Sequence, residues 1–183
     1  MIRAGIGIDF HRFALGRKLI LGGVEIDHEL GLAGHSDADA LTHAICDALL
    51  GAAGLGDIGR WFPDTDPQYK DISSLVLLQR VRGMLQEQGW RVGNVDATIV
   101  AEEPHLAPYI PEMTAKLAGA LQVHEEAINL KATRPEGLRG WDEGIAAWAV
   151  ATLTLAAAEE LEDIVIGDED HQAQEDDDPD VVD

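Results

Sequence analysis

From Arg3 to Phe13 the chain alternates, with Ala4, Ile6, Ile8 and Phe10 on one side and Gly5, Gly7, Asp9 and His11 on the other. A period of two predicts a strand. The run Lys18 to Leu21, the pair Gly22-Gly23 and then Val24 to Ile26 predict a hairpin, because the glycines supply the positive φ of a tight turn. The period then lengthens. Leu41, Ala44, Ile45, Ala48, Leu49 and Ala52 form one stripe of a helix from Asp37 to about Ala53, with Ser36 or Asp37 as its natural N-cap. Asp39, His43 and Asp47 recur every four residues on the polar side, so either carboxylate is in reach of His43.

Further along, Ile72 to Gln88 predicts a second amphipathic helix that stops at Gly89. Asn94 to Glu103 reads as a strand by its β-branched content. Pro104, Pro108 and Pro111 lead into a third helix ending near Leu121, and Ile128 to Ala132 is a short strand. Gly144 to Ala158 stays open between two readings: its alanines favour helix, whereas the Val150, Thr152, Thr154 alternation allows a strand. The order of elements, without internal repeat or linker, predicts one α+β domain over residues 1–158.

Composition adjusts this picture at one end. The 183 residues carry a formal charge of −21, which argues against a nucleic-acid backbone or a membrane surface as partner. Glu159 to Asp183 holds 13 acids and no Lys or Arg, so residues 159–183 are expected to be a largely disordered acidic tail. The lone Cys46 falls within a helical apolar pattern and is expected in the core, and a chain with one cysteine fits a reducing compartment. No run approaches the ~20 apolar residues of a membrane span, and the first residues lack a signal-peptide pattern. A soluble cytoplasmic protein is expected.

Four groups can carry chemistry. Asp9 and His11, two apart on a strand, leave the same face and can converge on one ion. His35-Ser36-Asp37-Ala38-Asp39 followed by His43 is the second, and an aspartate with two histidines completes a three-ligand site with an open fourth position, as in catalytic zinc. The third is the pair of loops Gly56-Asp57-Ile58-Gly59 and Phe62-Pro63-Asp64-Thr65-Asp66, where glycines permit close backbone approach to a ligand. The fourth, Lys131-Ala132-Thr133-Arg134-Pro135-Glu136, gathers two cations, a hydroxyl and a carboxylate suited to a phosphate and a metal. Each group alone also has a plain structural reading as a cap, a turn or a surface residue.

In their order, Gly7-Ile8-Asp9-Phe10-His11, His35-Ser36-Asp37-Ala38-Asp39, His43, Asp47 to Ala52, Gly56 to Gly59 and Phe62 to Pro67 resemble the 2-C-methyl-D-erythritol 2,4-cyclodiphosphate synthase family. The resemblance spans Met1 to about Leu155. It implies a single α+β domain with a mixed sheet and helices on one face, trimerising through sheets packed about a threefold axis with active sites between subunits. Gly144 to Leu155 would then be a central strand.

The implied reaction is intramolecular cyclisation of 4-diphosphocytidyl-2-C-methyl-D-erythritol 2-phosphate with release of CMP, a lyase step of the non-mevalonate isoprenoid pathway. By matching position, Asp9, His11 and His43 would bind Zn²⁺, and Glu136 a second divalent ion, Mg²⁺ or Mn²⁺. His35 and Ser36 would touch the phosphates, with His35 stabilising the transition state. Asp9, Phe10 and His11 fall in one substrate-binding stretch; Asp57, Ile58 and Gly59 would hold the methylerythritol hydroxyls. Phe62, Pro63, Asp64, Thr65 and Asp66 would form a mobile loop over the substrate. Ala101, Pro104, His105, Leu106 and Ala107 would form the cytidine pocket, and Thr133, Arg134, Pro135, Glu136 and Arg139 the phosphate end.

The chain departs from the family pattern after Lys131. Arg134 stands where a transition-state-stabilising Thr is expected, and Arg139 is the candidate to replace an absent Gly-Arg. His105 replaces a usual Lys, and Trp148 an acid that some members turn toward the trimer axis, so a more apolar centre is expected. Two alternatives accompany the enzyme: a trimeric zinc-holding scaffold without efficient cyclisation, and a zinc hydrolase of another class with Asp39 as general base.

Overall fold

Residues Ile2–Ala14 form a long strand, β1, whose far end pairs antiparallel with the two-residue β4, Gly31–Leu32. Between them, β2 (Leu19–Leu21) and β3 (Val24–Ile26) make the separate expected hairpin about Gly22-Gly23, both at positive φ. The remaining elements are α1 (Ala40–Ala53), the short α2 (Ile58–Trp61), α3 (Ser74–Glu87), β5 (Trp90–Val100), α4 (Ile110–Leu121), β6 (Ile128–Thr133) and β7 (Gly144–Leu155). The computed structural model describes residues 1–156. The expected acidic tail, and residues 157–158 of the expected domain, lie outside the described residues.

The main sheet runs in the order β4-β1-β7-β5-β6, antiparallel except for the parallel β5–β6 pair. The ambiguous last segment is therefore a central strand. Its alanines favour helix in isolation, but Ala147, Ala149, Ala151 and Leu153 are buried under the helical layer while both edges of β7 are hydrogen-bonded, and this outweighs propensity.

The helical layer approaches the sheet closely because β1 offers no side chains in its way. A Cβ on Gly5 would stand 2.1 Å from the Ala48 carbonyl oxygen, and one on Gly7 2.0 Å from that of Ala44, so α1 rests directly on the strand backbone. Leu41, Ile45, Leu49 and Leu50 are fully buried, as is Cys46, in keeping with the expectation for that cysteine.

Two expectations about α1 need correction. The helix begins at Ala40, and its cap is Asp39, which accepts from Thr42 N, rather than Ser36 or Asp37. Ala38 at φ 58° holds the preceding residues out of the helix.

The apolar side of β1 faces away from the helices and is open. Ile6 is 63 % and Phe10 60 % exposed, and across the strand pair Val150 of β7 is 45 % exposed. Trp148, opposite Ile8, packs edge-on against Phe10 at 5.4 Å and stacks with Trp141 at 5.9 Å. A sheet with one face bare of cover and rich in large apolar groups is an unsatisfied surface. No helix of the described residues is long and apolar enough to cross a membrane.

Candidate active site

Asp9 and His11 project from β1 toward α1, which presents His43 one residue before the Gly7–Ala44 contact. Three ligand atoms converge there. Asp9 Oδ2 lies 2.8 Å from His11 Nε2 and 3.0 Å from His43 Nδ1, and the two ring nitrogens are 3.2 Å apart. Among the described residues these three form the one group of metal-ligating side chains gathered this closely.

The far nitrogen of each imidazole is held. His11 Nδ1 donates to the Ala33 carbonyl at 2.6 Å, so its Nε2 carries the free lone pair. His43 Nε2 lies 2.9 Å from Ser74 Oγ and 3.1 Å from Ser36 Oγ, leaving Nδ1 for the shared point. Two imidazole nitrogens and a carboxylate oxygen aimed at one another can hold a cation between them. The three separations approach the roughly 3.3 Å edge of a tetrahedron with 2.0–2.1 Å metal–ligand bonds, so the set fits a divalent metal of the zinc class.

The closeness of the three groups couples their charges. Burial alone would raise the Asp9 pKa, but the hydrogen bonds and charges of His11 and His43 outweigh it and hold the carboxyl well below the usual range. Burial would depress His11, but Asp9 and the Ala33 carbonyl raise it above the ordinary imidazole value.

Neither expected carboxylate supports His43. Asp39 is fully buried and accepts from Gly22 N, Gly23 N, Thr42 N and Thr42 Oγ1, tying the hairpin to the helix start. Burial raises its pKa in spite of these donors. A carboxylate so enclosed cannot take a proton from a metal-bound water, which removes the hydrolase alternative. Asp47 instead accepts from Ile58 N at 2.7 Å and so anchors α2.

The triad opens on a pocket of about 400 Å³ lined by His11, His35, Ser36, His43, Ile58, Gly59, Phe62, Pro63 and Asp64, with Gly34, Tyr69 and Leu77 added to the expected set. His35 Nε2 donates to the Asp66 carbonyl at 3.1 Å, which binds the loop after α2 to the His35 turn. Asp57 is exposed and caps α2 through Arg60 N, while Thr65 is exposed and outside this lining. Phe10 sends its side chain to the opposite face of the sheet, so only its backbone stays beside Asp9.

A second pocket, about 390 Å³, gathers Ala101, Pro104, His105, Leu106, Ala107, Ala132, Thr133 and Arg134. Lys131, Pro135 and Glu136 of the fourth group do not join it, nor does Arg139. Lys131 pairs with Asp96, beside Asn129, instead of turning toward a phosphate. Glu136, at φ 53°, and Arg139 are exposed on the turns after β6, and Pro135 is buried.

The register fixes how far apart the pockets stand. Phe10, Ala146, Val100 and Thr133 lie in one row across β1, β7, β5 and β6, so the triad and the second pocket occupy the same end of the sheet, three strand spacings or ~14 Å apart. They share no lining residue.

Sequence reasoning missed Ser74, the Ala33 carbonyl, Gly34, Tyr69 and Leu77. Ser74 and Ala33 act on ligands from other elements, and only the periodicity of α3 hints at what lies near its first residue.

Such a site, a three-ligand metal centre opening on a polar pocket of an α+β domain, defines a metal-dependent enzyme. The YgbB family model matches residues 2–154. The 2-C-methyl-D-erythritol 2,4-cyclodiphosphate synthase of Syntrophomonas wolfei is 58 % identical over 157 residues, 85 % of this chain and 100 % of that protein. Among solved structures, the bifunctional IspDF from Campylobacter jejuni matches at TM-score 0.82 and 39 % identity over 85 % of this chain, which spans 42 % of that longer one. A 2C-methyl-D-erythritol-2,4-cyclodiphosphate synthase in a CDP-bound form matches at TM-score 0.77 and 36 % identity, covering 83 % of this chain and 100 % of that one. The chain belongs to the 2-C-methyl-D-erythritol 2,4-cyclodiphosphate synthase family, metal-dependent lyases of the non-mevalonate isoprenoid pathway. The scaffold alternative finds no support among these relatives.

Proposed function

We propose that the chain converts 4-diphosphocytidyl-2-C-methyl-D-erythritol 2-phosphate into 2-C-methyl-D-erythritol 2,4-cyclodiphosphate and CMP. The observation that carries this reading is the convergence of Asp9, His11 and His43 at the floor of the pocket that His35 and Ser36 line. An oxygen of the 2-phosphate attacks the β-phosphorus, the bond from that phosphorus to the bridging oxygen breaks, and CMP leaves with its electron pair. No protein nucleophile is needed, so the residues must fold a polyanion onto itself and meet its charge.

In this reading Asp9, His11 and His43 would hold Zn²⁺, and Glu136 would help to hold a second divalent ion, Mg²⁺ or Mn²⁺. Such ions supply Lewis-acid polarisation of the phosphate oxygens when bound. Ser36 orients a phosphate, and His35 donates to the charge that grows on it. Asp57, Ile58 and Gly59 hold the erythritol hydroxyls, while Phe62 to Asp66 close over them and exclude water. Ala101 to Ala107 seat the cytosine by backbone groups, and Arg134 and Arg139 offer charge-assisted donors to the diphosphate.

We further propose a homotrimer in the cytoplasm. A threefold assembly is supported by the uncovered apolar face at Ile6, Ile8, Phe10 and Val150, and by the separate linings of the two pockets, which share no residue. The aromatic group of Phe10, Trp141 and Trp148 would make the centre apolar.

A phosphorus NMR time course tests the function. Purified protein with Mg²⁺ is expected to turn the cytidyl substrate into cyclodiphosphate and CMP, and to stop when zinc is stripped. Unchanged substrate with a zinc-loaded protein would overturn the reading.

A further inference from the structure

Ser74 is the first residue of α3 and is fully buried, 31 positions from His43 in the chain. Its hydroxyl donates to Asp37 Oδ1, and its backbone N–H donates to Asp37 Oδ2 at 2.9 Å. A carboxylate offers only acceptors, so the single hydroxyl proton of Ser74 is committed to Asp37. What remains toward His43 Nε2, 2.9 Å away, is a lone pair. The Nε2 of His43 must therefore be the donor, and its Nδ1 is left as the metal-facing lone pair.

Ser36 Oγ also approaches His43 Nε2, at 3.1 Å, but it differs in two ways. It accepts from Ala38 N and has no carboxylate among the described residues to direct its proton. It also lines the pocket, where Ser74 does not. One serine is thus enclosed and polarised in a fixed sense, and the other lines the pocket.

We infer that Ser74, held by Asp37, is a positioning residue that fixes the tautomer and ring orientation of His43, leaving the Ser36 hydroxyl free for a phosphate. This rests on the reading of Asp9, His11 and His43 as a metal centre. The linkage also joins the start of α3 to the metal site, so this helix supports the chemistry without touching substrate.

The test is a double-mutant cycle on zinc affinity in the full-length chain, measured by competition with a chromophoric chelator. Ser74→Ala and Asp37→Ala are each expected to weaken zinc binding 10–100-fold, the range for partners that orient a ligating histidine. The double variant should be no weaker than the poorer single, because both remove one pathway. Cobalt in place of zinc should show an altered visible spectrum in both. Wild-type zinc affinity and cobalt spectrum in folded Ser74→Ala would overturn the inference, as would fully additive losses in the cycle. Should Ser74→Ala fail to fold, Asp37→Ala alone decides, by the same chelator competition and cobalt spectrum. A wild-type protein that binds no zinc would overturn the metal centre itself, a result distinguishable from failure of the Ser74 role.

Discussion

Gly7 of β1 and Ala44 of α1 are in backbone contact: a methyl group on Gly7 would stand 2.0 Å from the Ala44 carbonyl oxygen and 2.6 Å from Ala48 N. Neither neighbour can rotate away, since both atoms belong to the helix backbone. Gly7→Ala must lift α1, and with it His43, from Asp9 and His11. We expect a loss of about 1–3 kcal/mol in urea unfolding, as for other overpacked sites, together with weakened zinc binding. Unchanged zinc affinity would show that the helix position does not set the triad.

Asp39 predicts a different outcome. Asp39→Ala strands buried donors of Gly22, Gly23 and Thr42 and removes the α1 cap, so a destabilisation of about 3 kcal/mol is expected. Asp39→Asn should cost less. Chemical denaturation checks both, and a variant of wild-type stability would contradict the assigned contacts.

How far these contacts could be read from sequence depends on their range. The β1 alternation, the Gly22-Gly23 hairpin, the amphipathic α3 and the proline-led α4 are local patterns and emerge as expected. The start of α1 does not, because Ser74, 37 residues away, engages the Asp37 carboxylate that local reasoning assigns to the cap. Asp47 likewise serves Ile58 rather than His43, since a helix periodicity gives direction but not the neighbour waiting there. The strand β7 was open by propensity and is settled by burial between β1 and β5. The ligands Asp9, His11 and His43 were recognisable because motif order carried them, whereas Ser74 leaves no mark within its own segment.

Cys46 offers a probe of opening. Burial first, then the charges of Asp47 and Asp39, push its thiol well above the ordinary cysteine pKa, so the reactive thiolate is scarce at pH 8 in the folded chain. A disulfide reagent should leave it unlabelled until denaturant is added. Rapid labelling of native protein would place the thiol at the surface.

The two arginines after β6 should separate in their effects. Arg134 lines the second pocket and Arg139 does not. Loss of a charge-assisted donor of about 1.5–3 kcal/mol predicts that Arg134→Ala weakens CDP binding by roughly 10–100-fold. Arg139→Ala should change it less. Calorimetric titration with CDP measures both, and equal losses would remove the distinction.

A charge on the open sheet face tests the assembly. Ile6→Lys or Ile8→Lys places an ammonium among Phe10, Trp148 and Val150, and if the proposed trimer forms through this face, sedimentation should shift toward monomer with loss of cyclisation. A trimer that survives both substitutions would point to another contact surface.

The ~14 Å between the triad and the Arg134 pocket has a genetic consequence. In the proposed trimer, two defective alleles, one with His43→Ala and the other with Arg134→Glu, would damage opposite halves of a site shared between neighbours. In randomly mixed trimers about one site in four joins an intact triad to an intact pocket from its neighbour. Cells carrying both alleles should therefore recover part of the activity that each allele alone abolishes.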